Sequence, residues 1–253
     1  MKSSGKPYRW LAQYYDEFFQ PLRAPIDAAR NRLLRTILPR VQTACDLACG
    51  AGTTAIALAQ RGIKVYALDL SPEMCRIARR KTVGLPVMVC RADMRKFQLP
   101  EPVDLILCEC DALNHIPRKS DLRAVAKSVA AASKSGGHFF FDVNNSLAFE
   151  RYWSGTFWAE KPGIVMAMNN AHNRKAERAW SDIDWFVQDE SGKAWRRYRE
   201  RVEEVCWTAE EIQRVFAAAG FAEQTAWDAA PFFKKTDPRV TPGCRTIYLM
   251  RKG

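Results

Sequence analysis

Five short runs rich in Val, Ile, Leu and Phe alternate with helix-like stretches: Val41–Ala48, Lys64–Leu70, Val87–Cys90, Val103–Cys108 and His138–Val143. This rhythm constrains the fold more than any other feature of the 253-residue chain. Near-continuous apolar runs separated by helices are the pattern of parallel strands buried on both faces and joined by crossover helices. The helix signals between the runs are specific. Ser71-Pro72-Glu73 supplies an N-cap, a proline at the first helical position and an acid in the first turn. Asp121–Ser133 reads as an alanine-rich helix that Gly136-Gly137 should stop.

Outside this stretch the texture changes twice. The first 40 residues read as two amphipathic helices capping the sheet. One carries Tyr8, Trp10, Tyr14, Tyr15, Phe18 and Phe19, and the other Ile26, Leu33, Leu34, Ile37 and Leu38. From Gly163 to Trp207, β-branched and aromatic residues alternate with charges about a turn at Asp189–Gly192, which predicts an inserted antiparallel meander. Thr208 and Glu211 then form a capping box for a helix ending at Gly220, and Phe221–Trp227 and Cys244–Arg251 supply two last strands. The expected organisation is a helical cap (1–40), an α/β domain (41–149 and 208–253) and an inserted subdomain (150–207).

A hydrophobic share of 47% with 26% charged residues excludes disorder and fibres. Eight cysteines without a C-x-x-C pair read as reduced core thiols of a cytoplasmic protein, and no metal-ligand cluster has suitable spacing. Met1-Lys2-Ser3-Ser4-Gly5-Lys6-Pro7 lacks the apolar region of a secretory signal, and no apolar run has the length of a membrane span. The net charge of +11 is spread along the chain, whereas residues 146–207 carry 10 basic and 10 acidic groups. A dedicated nucleic-acid reader concentrates its basic residues on one face.

The segment Asp46-Leu47-Ala48-Cys49-Gly50-Ala51-Gly52-Thr53 runs from an apolar strand through a glycine turn into a helix. Two glycines separated by one residue let backbone approach a ligand at the carboxyl edge of a sheet. A dinucleotide fingerprint would place a third glycine at Ala55, which argues against a nicotinamide dehydrogenase. Asp69 ends the second run 19 residues after Gly50, Arg91-Ala92-Asp93-Met94 ends the third, and Glu109, Asp111 and His115 follow the fourth.

In this order of motifs, residues 41–145 resemble the class I S-adenosylmethionine-dependent methyltransferases. The resemblance implies a Rossmann-like doubly wound α/β sheet of about seven strands, the last pair antiparallel, with helices on both faces. It implies S-adenosylmethionine as cofactor and S-adenosylhomocysteine as product. Gly50 and Gly52 would approach the methionine and ribose parts, beside Ala48, and Asp46 would fix the turn and reach the ammonium. Asp69, with Leu70 beside it, would accept the ribose hydroxyls. Asp93 would take the adenine amino group, and Met94 and Met74 would pack the ring. Glu109 and Tyr15 complete the expected cofactor contacts.

Tyr14-Tyr15-Asp16-Glu17-Phe18-Phe19, Leu113-Asn114-His115-Ile116, the meander and the closing helix Thr208–Phe221 together look like sugar N,N-dimethyltransferases and glycine N-methyltransferase-like enzymes. These roof the active site with an amino-terminal helix and a β insertion. By that likeness Tyr15 would close over the cofactor, and Trp153, Phe157 and Trp158 would line or gate the pocket. The implied partner is a small-molecule acceptor methylated at N or O, on a monomer or homodimer without membrane association. An amine acceptor needs mainly positioning, whereas a hydroxyl needs a base, for which His115 or Asp111 is the candidate. His115, Tyr15 and Asp111 are therefore the candidate catalytic residues. Two alternatives stay open, an RNA base methyltransferase and a non-catalytic cofactor-binding partner subunit.

Overall fold

The computed structural model describes residues 8–233 and 241–253. The amino-terminal heptapeptide read for a targeting signal lies outside them. In chain order, helix α1 (Leu11–Leu33) leads through a short 3-10 turn to β1 (Thr43–Leu47), α2 (Thr53–Ala59), β2 (Lys64–Asp69) and α3 (Pro72–Lys81). There follow β3 (Val87–Arg91), β4 (Val103–Cys108), α4 (Lys119–Ala132), β5 (Ser133–Asn144) and α5 (Ser146–Tyr152). Strands β6 (Gly155–Lys161), β7 (Ile164–Asn173), β8 (Arg178–Gln188) and β9 (Trp195–Val205) precede α6 (Ala209–Ala217), β10 (Phe221–Asp228) and β11 (Arg245–Lys252).

Seven strands form one sheet in the order β10-β11-β5-β4-β1-β2-β3. Strands β1 to β5 are mutually parallel, and β11 runs antiparallel to both β5 and β10. Helices cover both faces. Leu122, Val125 and Val129 of α4 and Ile212 and Phe216 of α6 pack against Leu47, Ile106, Phe139 and Phe141 on one side. Ala29 of α1, Ala55 and Leu58 of α2 and Ala78 of α3 pack against Ala44, Val65, Leu105 and Phe140 on the other. The chain leaves β1 toward β2 and β3, then returns to place β4 on the opposite side of β1. Ligands of open α/β sheets bind at such a reversal, outside the carboxyl ends of the strands.

Local signals hold where chemistry is local. Ser71 accepts the Met74 N–H with Pro72 opening α3, and both halves of the Thr208–Glu211 capping box form. Two expectations are corrected. The first 40 residues make one 23-residue helix and a short 3-10 turn, because α1 is a rod bridging two cores. Leu11 belongs to the core of the inserted sheet and Ala29 to that of the main sheet, and the bond forgone at Pro25 does not break the rod. Helix α4 ends at Ala132, before the glycines, and Gly136-Gly137 lie inside β5 beside an irregularity in its pairing with β4. Strands β6 to β9 form a separate antiparallel sheet, one strand longer than the segment expected from Gly163 onward. No helix among the described residues is long and apolar enough to cross a membrane.

Candidate functional site

Strand β1 delivers Asp46 to the sheet edge, where its Oδ2 accepts the Ala55 N–H at 2.9 Å and pins the first turn of α2. Burial, and then the neighbouring Glu109, push this carboxyl up to about 7. The turn that follows is left-handed at Ala48, Gly50 and Gly52, with φ of 61°, 53° and 84°. The two glycines serve different needs. A Cβ at Gly52 would stand 3.1 Å from Cβ of Ala78, so this glycine lets α2 close on α3. A Cβ at Gly50 would meet no atom within 4 Å and would project into open space at the sheet edge. We expect Gly52→Ala to cost about 2 kcal/mol of stability from left-handed strain plus crowding. Gly50→Ala should cost only about 1 kcal/mol while abolishing most cofactor affinity. Thermal melts and S-adenosylhomocysteine calorimetry on the pair check this, and equal losses in both assays would refute the division of labour.

Asp69 ends β2 with its Oδ2 on the Gly50 N–H at 2.9 Å and its Oδ1 on the Ser71 N–H at 2.8 Å. Each oxygen thus keeps one lone pair for a ligand. Met74 is buried with Ala51, Ile77 and Ala12, and Tyr8 and Tyr15 pack against this group. Leu70 beside Asp69 is exposed, and Met94 packs against the main core. Asp93 is already engaged. Both of its oxygens lie within 3.0 Å of the Arg95 guanidinium, which holds the carboxyl below its usual range.

At the end of β4 the chain makes two consecutive left-handed residues, Cys110 and Asp111. Glu109 points into the protein. Arg30 lies 2.7 and 3.0 Å from its two oxygens, and Thr54 donates to it at 2.7 Å. Asp111 lies in the turn after β4, in a cluster completed by residues of β5, β9 and β11. Its Oδ2 accepts from the Asn144 side chain at 2.6 Å and from Arg245 at 3.2 Å. Asp142, 1% exposed, accepts the backbone N–H groups of Cys110 and Asp111 at 2.7 and 3.0 Å and pairs with Arg245 at 2.6 Å. Burial pushes its carboxyl up to about 6. Glu204 reaches the cluster from β9 and accepts from Asn144 at 3.3 Å. Burial, then Asp111, raise its carboxyl well above the usual range.

His115 is held at both ring nitrogens, Nδ1 against the Glu203 carbonyl and Nε2 against the Tyr8 hydroxyl, each at 2.8 Å. A carbonyl only accepts, so Nδ1 carries a proton, and Nε2 and the Tyr8 hydroxyl share a second hydrogen bond. Tyr15 stacks on Phe19, and Cys110, Asp111 and Arg245 lie close enough to influence its phenol, which burial keeps protonated. Of the aromatics expected at the gate, Trp153 packs edge-on against Phe149. Phe157 and Trp158 stand exposed on the edge strand β6.

Sequence reasoning missed Arg23. It extends from α1 to Thr54 Oγ1 at 2.5 Å and Cys110 Sγ at 3.6 Å, and its buried Nε has no partner among the described residues. Asp142, Asn144, Arg245, Glu200 and Glu204 were missed as well. For the two glutamates a signal existed, since both share strand parity with the inward Tyr198 and Val202. An amino acid joined to a nucleoside fits this arrangement. The orphaned Arg23 donor suits its carboxylate, the space at Gly50 its chain, the lone pairs of Asp69 a diol, and Met74 a flat base.

A family model described as a methyltransferase domain matches residues 44–137. A Bacillus subtilis (strain 168) protein named "Putative methyltransferase YqeM" is 30% identical over 217 residues, covering 85% of this chain and 86% of its own. An S-adenosylmethionine-dependent methyltransferase from Clostridium acetobutylicum ATCC 824 superposes with a TM-score of 0.76 at 23% identity, covering 98% and 100% of the two chains. The sugar N-methyltransferase KedS8 from Streptoalloteichus sp ATCC 53650 gives 0.75 at 20% identity, with 100% and 96% covered. With the glycine turn, Asp69 and the seven-stranded order in place, this chain belongs to the class I S-adenosylmethionine-dependent methyltransferases.

Proposed function

We propose that the chain is a cytoplasmic enzyme that methylates the nitrogen of a small, cationic amine acceptor. The observation behind this reading is the buried cluster at the ends of β4, β5 and β9, where Asp111, Asp142 and Glu204 surround the single guanidinium of Arg245. A desolvated site with more carboxylates than cations favours a ligand that brings positive charge. Asp46, Gly50, Gly52, Asp69, Met74 and Arg23 would hold the cofactor, with Tyr15 above them. When bound, S-adenosylmethionine supplies an electrophilic methyl group on a sulfonium sulfur.

The chain's own task is then positioning and proton removal. Asp111 and Glu204 would orient the acceptor nitrogen, and Asp111 would take the proton that nitrogen must lose before its lone pair is free. His115 is engaged with Tyr8, so its part would be to hold that tyrosine. The roof over this cluster carries no net charge, which favours a small acceptor over a nucleic-acid backbone.

A methyl-transfer assay against small primary and secondary amines, matched hydroxy-compounds and bulk tRNA tests the reading. Product should appear in the amine arm, and Glu204→Gln should raise the acceptor KM about tenfold, or roughly 1.4 kcal/mol, with cofactor affinity within twofold. Transfer only to hydroxyls would overturn the amine assignment. Transfer only to tRNA, falling steeply with salt, would move the protein to nucleic acid.

A further inference from the structure

Helix α1 begins without a cap of its own. Its N-cap residue is Trp10, whose side chain makes no capping bond, and its first turn carries no acid. The missing acceptor comes from β9, some 190 residues away in sequence. Glu200 is fully buried, and its Oε1 accepts the Leu11 N–H at 2.7 Å and the Trp185 indole N–H at 2.9 Å. Its Oε2 accepts the N–H groups of Arg9 and Trp10 at 3.1 and 3.4 Å. A carboxylate at a helix amino terminus satisfies the orphan donors and complements the helix dipole.

What this cap holds in place is the cover of the cofactor site. Ala12 of the first turns of α1, with Tyr8 and Tyr15, packs on Ala51 of the glycine turn and on Met74 and Ile77 of α3. Tyr8 sits at φ 63°, a left-handed backbone that a bulky residue adopts only when its surroundings impose it. Its hydroxyl reaches His115, and Trp10 stacks on Tyr198 of β9 with ring centroids 3.6 Å apart. A ligand resting on Asp69 and Met74 would lie beneath this cover. The other polar ties near the cover, Asp16 to Lys81 and Tyr8 to His115, are partly exposed. Two of the four Glu200 contacts, those of Oε1 with the Leu11 N–H and the Trp185 indole, are fully buried.

We infer that Glu200 is a positioning residue that latches the first turns of α1 over the cofactor site, so that release of this latch sets the rate at which S-adenosylhomocysteine departs. The inserted sheet thereby governs cofactor exchange as well as roofing the acceptor side. The inference rests on the cofactor-site reading above.

The test is Glu200→Gln, which keeps the shape and removes one acceptor and the charge. Stopped-flow tryptophan fluorescence should show S-adenosylhomocysteine dissociating at least tenfold faster than from wild type, with a smaller change in association. Hydrogen exchange on the ligand-free protein should show the Trp10 and Leu11 amides exchanging at least tenfold faster, with β4 amides unchanged. No change in either readout overturns the latch. If the variant melts too low to assay, Trp10→Ala, which loosens the same turn from the other side, must speed dissociation in the same way or the inference falls. Failure of wild type itself to bind S-adenosylhomocysteine would instead refute the cofactor-site reading.

Discussion

Replacing Asp69 with alanine is expected to weaken S-adenosylhomocysteine binding by about 100-fold, the largest loss of affinity from any single side chain in the cofactor site. Each Asp69 oxygen is half occupied by a backbone N–H, which fixes the carboxylate plane and leaves one acceptor position per oxygen. Two hydroxyls meeting those positions form two charge-assisted hydrogen bonds of about 1.5–3 kcal/mol each. Their loss gives at least 3 kcal/mol, and 1.4 kcal/mol is tenfold in affinity. The variant also frees the Gly50 N–H, so the glycine turn loosens and the melting temperature falls by a few degrees. Asp69→Asn keeps one acceptor oxygen and should lie between, at about tenfold. Calorimetry with S-adenosylhomocysteine decides the matter, and an Asp69→Ala affinity within threefold of wild type would remove Asp69 from the site.

Asp93 makes an instructive contrast. The resemblance assigns it the adenine amino group, yet four close contacts from Arg95 already occupy it. A motif two residues long, acid and then apolar residue, does not reveal that the next side chain folds back onto the acid. The place of Asp69 at the end of β2 was legible because strand, acid and capped helix follow one another within a few residues. Local chemistry of that kind also made Ser71, Thr208 and Glu211 readable.

The acceptor side was hidden for a different reason. Arg245 stands opposite Asn144 in the β11–β5 register, about a hundred residues away in sequence. Glu204 meets Asn144 across the gap between the two sheets. No spacing rule spans such distances. What the sequence did carry was parity, since Glu200 and Glu204 fall on the inward set of β9 with Tyr198 and Val202. An acid on the apolar side of a strand asks for a buried partner. The same signal ran along α1, where Arg23 and Arg30 lie seven residues apart, two helical turns, on the face that meets the main domain. The division of the first 40 residues into two helices failed because one helix packs on two cores, that of the inserted sheet at Leu11 and that of the main sheet at Ala29.

Arg30 carries the second large effect. Arg30 is 2% exposed and its guanidinium sits against Glu109, itself buried, with Thr54 also donating to that carboxylate. Arg30→Ala leaves that carboxylate buried without its main partner, which costs about 3–5 kcal/mol. Glu109→Ala leaves the guanidinium its Asp27 partner at 2.8 Å and should cost less than Arg30→Ala. The double variant Arg30→Met, Glu109→Leu fills the same space with apolar groups, and it should lose less than half the sum of the single losses. Denaturant melts measure all three, and additive losses would mean that the two side chains act independently. The pair also reaches the site. Glu109 is the leading charge that raises the Asp46 carboxyl, after burial, and Arg30 works against it. Removing Arg30 should therefore drive Asp46 further toward its neutral form at the glycine turn, so the stability loss comes with weakened hold on the cofactor's ammonium.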